Sequence, residues 1–77
     1  MKIEVLGTGC AKCQKLEKNA RKAIEELGID AKIEKVEDLS EISARGVMMT
    51  PALAIDGETK SKGEVLGTEK IKELLKN

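Results

Sequence analysis

An α/β fold with the element order βαβαββα, a four-stranded mixed sheet flanked by three helices, is predicted by three observations on this 77-residue chain. Two segments, Ile3–Leu6 and Ala52–Ile55, are nearly continuous in apolar residues, as strands covered on both faces are. Three other segments carry apolar residues at helical spacing, with a glycine or a capping residue at their ends. An Asp56-Gly57 pair marks a tight turn late in the chain, where an antiparallel hairpin belongs.

Taken in order, Lys2-Ile3-Glu4-Val5-Leu6 alternates and then turns apolar, which predicts a mostly buried first strand. Gly7 and Gly9 turn it into a helix running from about Cys10 to Leu27 along the stripe Leu16, Ala20, Ala23, Ile24 and Leu27, with Gly28 as its C-cap. Ile29, Ala31 and Ile33 alternate with Asp30, Lys32 and Glu34, predicting a second strand with one solvated face. Asp38, followed three residues later by Glu41, resembles a capping box that opens a short helix through Leu39 and Ile42, stopped at Gly46. Thr50-Pro51 leads into the third strand, Ala52–Ile55. The return strand after Asp56-Gly57 is placed at Lys62–Leu66, and Gly67-Thr68 caps a last helix with Ile71, Leu74 and Leu75 on one face. Parallel crossovers come first and the antiparallel hairpin last, in one domain spanning residues 1–77.

Composition excludes several classes of function. No residue is aromatic, so there is no platform for base stacking or cation–π contact. Fourteen basic and fourteen acidic residues cancel, so no net field draws the chain to nucleic acid or to an anionic membrane. No apolar run approaches a membrane span and the chain opens directly on a strand, which sets the cytoplasm as the expected location.

The only cysteines are Cys10 and Cys13, in the motif Cys10-Ala11-Lys12-Cys13 at the start of the first helix. Three positions apart on a helix, their Cα atoms fall within the roughly 5 to 6 Å that a disulfide prefers. Advancing about 100° per residue from the apolar stripe puts Cys13 inside it and Cys10 at its exposed edge. Cys10 also sits at the helix N-terminus, where free N–H groups favour an anion, and Lys12 and Lys15 add positive charge. Cys10 is therefore the expected attacking thiolate and Cys13 the resolving thiol, with Lys12 and Gly9 the residues expected to tune them. A structural disulfide is the weaker alternative, since closing a four-residue ring stabilises by only about 2 kcal/mol. Soft-metal binding is a stronger one, although without histidine a tetrahedral site needs carboxylates, water or a second chain. An inert packed pair and a redox-gated interaction module are the remaining alternatives.

Gly9-Cys10-Ala11-Lys12-Cys13 after the first strand and Thr50-Pro51-Ala52-Leu53 before the third together resemble the thioredoxin and glutaredoxin superfamily. The likeness extends over nearly the whole chain and is greatest to the superfamily's smallest cytoplasmic members, the redox-active disulfide proteins. It implies a thioredoxin-like fold and a thiol–disulfide oxidoreductase in which Cys10 attacks and Cys13 resolves. It also implies a cis bond before Pro51, with Thr50 and Pro51 docking the substrate and Met49 beside them. The expected partners are a protein or small-molecule disulfide and an external reductase or thiol, with no cofactor beyond the Cys10–Cys13 disulfide, no resident metal, and a monomeric state. Val47, Met48 and Met49 are read as an adaptable apolar lip or as core, with at most one of the two methionines exposed. Gly63 and Gly67 either border the same groove or, the favoured reading, serve as turn and cap glycines. Thr8-Gly9 precedes the pair and Ala11-Lys12 separates it, where thioredoxins carry tryptophan and Gly-Pro; the family's buried acidic group has no clear counterpart. A soft-metal carrier of the ferredoxin-like class has a similar Gly-Thr-x-Cys-x-x-Cys loop, but its βαββαβ order ends on a strand, whereas this chain ends on a helix.

Overall fold

The computed structural model describes residues 1–76. Its elements are β1 (Lys2–Leu6), α1 (Ala11–Leu27), β2 (Lys32–Val36), α2 (Leu39–Ala44), β3 (Ala52–Ile55), β4 (Glu58–Lys62) and α3 (Thr68–Lys76). They form one four-stranded sheet in the order β2-β1-β3-β4. β1 pairs with β2 in parallel, while β3 runs antiparallel to both β1 and β4. Only α1 is thus a parallel crossover. The α2 segment returns the chain antiparallel beside β1, a distinction that apolar spacing does not encode.

Alternation along the strands sorts their side chains onto two faces. Ile3, Val5, Leu53 and Ile55 face α1 and α3 and pack with Leu16, Ala20, Ala23, Ile71 and Leu75 in the larger core. Leu6, Ala52 and Ala54 face the other way and pack with Ile42 and Val47 in a smaller one. Burial on both faces explains why β1 and β3 carry apolar residues at successive positions. Among the described helices, none is long and apolar enough to cross a membrane.

Helix ends follow local chemistry. Gly28 ends α1 at φ 63° and donates its N–H to Ile24 and Glu25 carbonyls. Asp38 opens α2 by accepting the N–H groups of Ser40 at 2.8 Å and Glu41 at 3.2 Å. The Glu41 carboxylate lies 3.6 Å from the Arg45 guanidinium.

Two strand boundaries differ from the sequence expectation. β2 begins at Lys32, and Ile29 and Ala31 pack against the larger core from the connection that precedes it. β4 occupies Glu58–Lys62 in place of Lys62–Leu66. Asp56 and Gly57 both have positive φ, 49° and 86°, which makes a two-residue hairpin turn whose return strand must start at once, with Ile55 opposite Glu58. Val65 and Leu66, the apolar residues that suggested a later strand, instead pack on the core from the connection into α3. Leu53 faces Ser61 and Ala54 faces Thr59, so Lys60 is an extra residue in a β-bulge.

Candidate active site

The end of β1 and the start of α1 build the site. Cys10 is the N-cap of α1 in an extended conformation, and its sulfur accepts the Cys13 N–H at 3.4 Å. The side chain that faces solvent is thus the one that caps the helix. Thiols are poor caps when neutral, so this position favours the anion. Cys13, one turn on, is buried in the apolar stripe. The two Sγ atoms lie 2.8 Å apart with no bond between them.

This asymmetry splits the two titrations. The Cys10 thiol is held below its ordinary value, first by the hydrogen bond from the Cys13 side chain and then by the Cys13 and Lys12 backbone N–H groups. The Cys13 thiol is raised, first by burial and then by the hydrogen bond to Cys10. With Cys10 as the thiolate, the Cys13 S–H is the group left to donate across the 2.8 Å contact. Lys12 acts on Cys10 through its backbone N–H. Backbone hydrogen bonding from Gly9 acts on Cys13.

Glycines make room for the pair. A Cβ on Gly7 would lie 2.3 Å from Cys13 Sγ and 3.7 Å from Thr50 Cβ, so Gly7 leaves the space in which the buried sulfur sits, beside Thr50. Gly9 has φ 84°, and a Cβ there would lie 3.0 Å from Glu37 Oε2. Behind Cys13 a cavity of about 90 Å³ is bordered by Gly7, Gly9, Glu17, Lys35 and Glu37, enough to admit water. Glu17 accepts from Arg21 at 2.8 Å and lies 3.6 Å from Lys35, and the Arg21 hydrogen bond holds its carboxyl below the usual range.

The second motif lies on the segment between α2 and β3. The Thr50–Pro51 bond is cis, Pro51 is fully buried, and its carbonyl accepts the Gly63 N–H at 2.8 Å. Val47 alone fills a core position. Met48 and Met49 are 87% and 64% exposed, which corrects the expectation that at most one would be. Both stand on the connection outside the sheet, where no element covers them. Met49 rests on Gly63, whose added Cβ would meet Met49 Cβ and Cε at 3.1 Å. Gly63 thus borders this segment, whereas a Cβ on Gly67 would meet nothing within 4 Å. Among the described residues no group of three or more His, Cys, Asp or Glu is placed to hold a metal ion.

Comparison with known proteins agrees with this geometry. The thioredoxin domain family model matches residues 1–76. A thioredoxin of Methanothermobacter thermautotrophicus is 53% identical over 75 residues, covering 97% of each chain. One of Methanocaldococcus jannaschii is 48% identical over 75 residues, covering 97% of this chain and 86% of its own. The chain belongs to the thioredoxin family. It is a thioredoxin-like thiol–disulfide oxidoreductase, and Cys10 and Cys13 are its closely placed cysteine pair.

Sequence reasoning did not single out Gly7, Glu37 or the cavity between them as part of this thioredoxin-like site. A glycine that ends a buried strand three residues before a cysteine is the one signal present, and it reads equally well as a turn. The cavity depends on where β2 ends relative to α1, which only the tertiary structure shows.

Proposed function

We propose that Cys10 is the attacking thiolate and Cys13 the resolving thiol of a reductant acting on protein or small-molecule disulfides, and that Thr50, Pro51 and Met49 dock the substrate. The single observation that carries this reading is the pair itself: sulfurs 2.8 Å apart, one exposed and lowered in pKa, the other buried and raised.

Each step follows from that arrangement. The Cys10 thiolate attacks one sulfur of the substrate disulfide and expels the other as a thiolate, leaving a mixed disulfide on Cys10. Cys13 then loses its proton and attacks Cys10 Sγ. The Cys10–Cys13 bond forms, the mixed bond breaks, and the second substrate thiolate leaves. Glu37, across the cavity from Cys13, is the proton acceptor in this reading; Glu17 is a weaker base because Arg21 and Lys35 already hold its charge. A lowered pKa costs Cys10 some nucleophilicity but makes it a better leaving group when an external reductase or thiol reopens the disulfide. The working unit in this reading is a single domain, a cytoplasmic monomer without a cofactor.

An equilibrium titration against dithiol/disulfide buffers, counting alkylatable thiols by mass on metal-free protein, tests the assignment. One two-electron transition near or below about −270 mV is expected of a thioredoxin-like reductant. Cys13→Ser should accumulate the mixed disulfide and Cys10→Ser should not. A pair that stays reduced throughout the series, or bonds only between molecules, refutes the exchange mechanism.

A further inference from the structure

Glu4 is the one charged residue buried in the core of the described chain. It projects from the central strand β1, and the Arg45 guanidinium grips it with both prongs, Nη1 to Oε1 at 2.7 Å and Nη2 to Oε2 at 2.6 Å. Arg45 is the C-cap of α2. Beyond it come Gly46 in the left-handed region, Val47 with its N–H on the Ile42 carbonyl, and then Met48, Met49, Thr50 and Pro51. The far end of this segment is fixed by the Gly63–Pro51 hydrogen bond. Its near end is only as firm as α2.

A helix of six residues does not hold its own shape in water, so tertiary anchors must place it. The buried apolar anchors of α2 and the residues after it are Ile42 and Val47. Two points define an axis about which a short helix can roll. On one side an open cleft of about 510 Å³, bordered by Lys2, Glu34, Asp38 and Glu41 and by Glu4 and Arg45 themselves, leaves α2 without a packed neighbour except the fork. The Glu4–Arg45 fork is a third anchor, tying the end of α2 to β1. Glu4 is buried but the Arg45 side chain is 28% exposed, and a half-buried pair of this kind contributes little net stability, which favours a geometric role. A bidentate guanidinium–carboxylate contact, by contrast, fixes orientation as well as distance.

We propose that Glu4 and Arg45 are positioning residues that lock α2 and thereby set the placement of the Met48–Pro51 segment beside the Cys10–Cys13 pair, so that the fork governs substrate docking. The inference rests on the docking role given above to Met49, Thr50 and Pro51.

The test compares wild type, Arg45→Lys and the double variant Glu4→Leu/Arg45→Met as full-length chains. Three quantities are read: the urea midpoint, the rate of Cys10 alkylation by iodoacetamide, and steady-state reduction of a synthetic peptide disulfide with dithiothreitol as electron source. The double variant should unfold near the wild-type midpoint and alkylate at the wild-type rate. Its KM should rise roughly fivefold or more with kcat little changed, the signature of lost binding without lost chemistry. Arg45→Lys keeps the charge and loses the fork, and should show a smaller rise in KM; it decides the question if the double variant does not fold. A folded variant with wild-type KM overturns the proposal and leaves the exchange mechanism standing. Wild-type protein that reduces the peptide without saturation overturns the docking reading itself.

Discussion

Replacing Gly7 with alanine should separate the two halves of the exchange reaction. The added methyl would stand 2.3 Å from Cys13 Sγ and 3.3 Å from Cys13 Cβ. Ordinary contact between such atoms is about 3.5 to 4.0 Å, so the sulfur must withdraw by more than about 1 Å. The Gly7 backbone lies outside the left-handed region, so the perturbation is one of space alone. Disulfide formation demands a narrow geometry, with S–S near 2.05 Å and a defined dihedral. A displacement of about 1 Å from the reacting position costs roughly a hundredfold in rate, or about 2.7 kcal/mol at 1.36 kcal/mol per decade. Cys10 is exposed on the other side and caps its helix through backbone groups that the methyl does not touch. Moving the Cys13 sulfur weakens its hydrogen bond to Cys10 but leaves the Cys13 and Lys12 backbone N–H groups in place, so attack on an external disulfide should slow far less than ring closure. The assay preloads Cys10 as a mixed disulfide with a chromogenic aromatic thiol and follows release of the coloured thiolate as Cys13 closes the ring. Iodoacetamide labelling of reduced protein measures Cys10 alone. Release slowed about a hundredfold is expected, with labelling at a pH above the thiol range changed by far less. A folded Gly7→Ala protein that closes the ring at the wild-type rate would refute the argument that this glycine makes room for the sulfur.

Two further outcomes follow from the same geometry. Because the Cys13 and Lys12 contacts lower the Cys10 thiol, its alkylation rate against pH should reach half-maximum below the usual thiol range, while Cys13 in a Cys10→Ser protein should titrate above Cys10. Coincident profiles would mean that the capping contacts do not tune the pair. Glu37→Gln removes a proton acceptor from the cavity behind Cys13 and should slow ring closure several-fold near neutral pH, with the loss shrinking as pH rises toward the Cys13 pKa. An unchanged rate would assign that proton to bulk water.

Some of the site could be read directly from residue spacing, and some could not. The different environments of Cys10 and Cys13 follow from a rotation of about 100° per residue against the Leu16–Ala20–Ala23 stripe, because a helix carries its own ruler. The Asp56-Gly57 turn was equally visible, but its consequence was placed too late: Glu58–Lys62 is polar throughout, and at the sheet edge backbone pairing determines a strand without apolar residues. The Glu4–Arg45 fork joins positions 41 residues apart, and nothing local to either residue names the other. A carboxylate between Ile3 and Val5 in a mostly buried strand was the only trace that Glu4 had a partner. The exposed Met48 and Met49 were hard to anticipate because apolar character normally signals core, and only the path of the chain after Val47 shows that they lie outside it.

The sheet order leaves β2 and β4 as open edges, each with backbone groups unpaired on its outer side. Both are protected against adhesion. β2 carries Lys32, Glu34 and Lys35, β4 carries Glu58, Lys60 and Lys62, and the bulge at Lys60 breaks the regular ladder that a second strand would need. Charge and irregularity at the rims discourage strand-to-strand growth into fibres. In a chain this small, with two methionines exposed on the surface, the charged rims oppose sheet-to-sheet fusion.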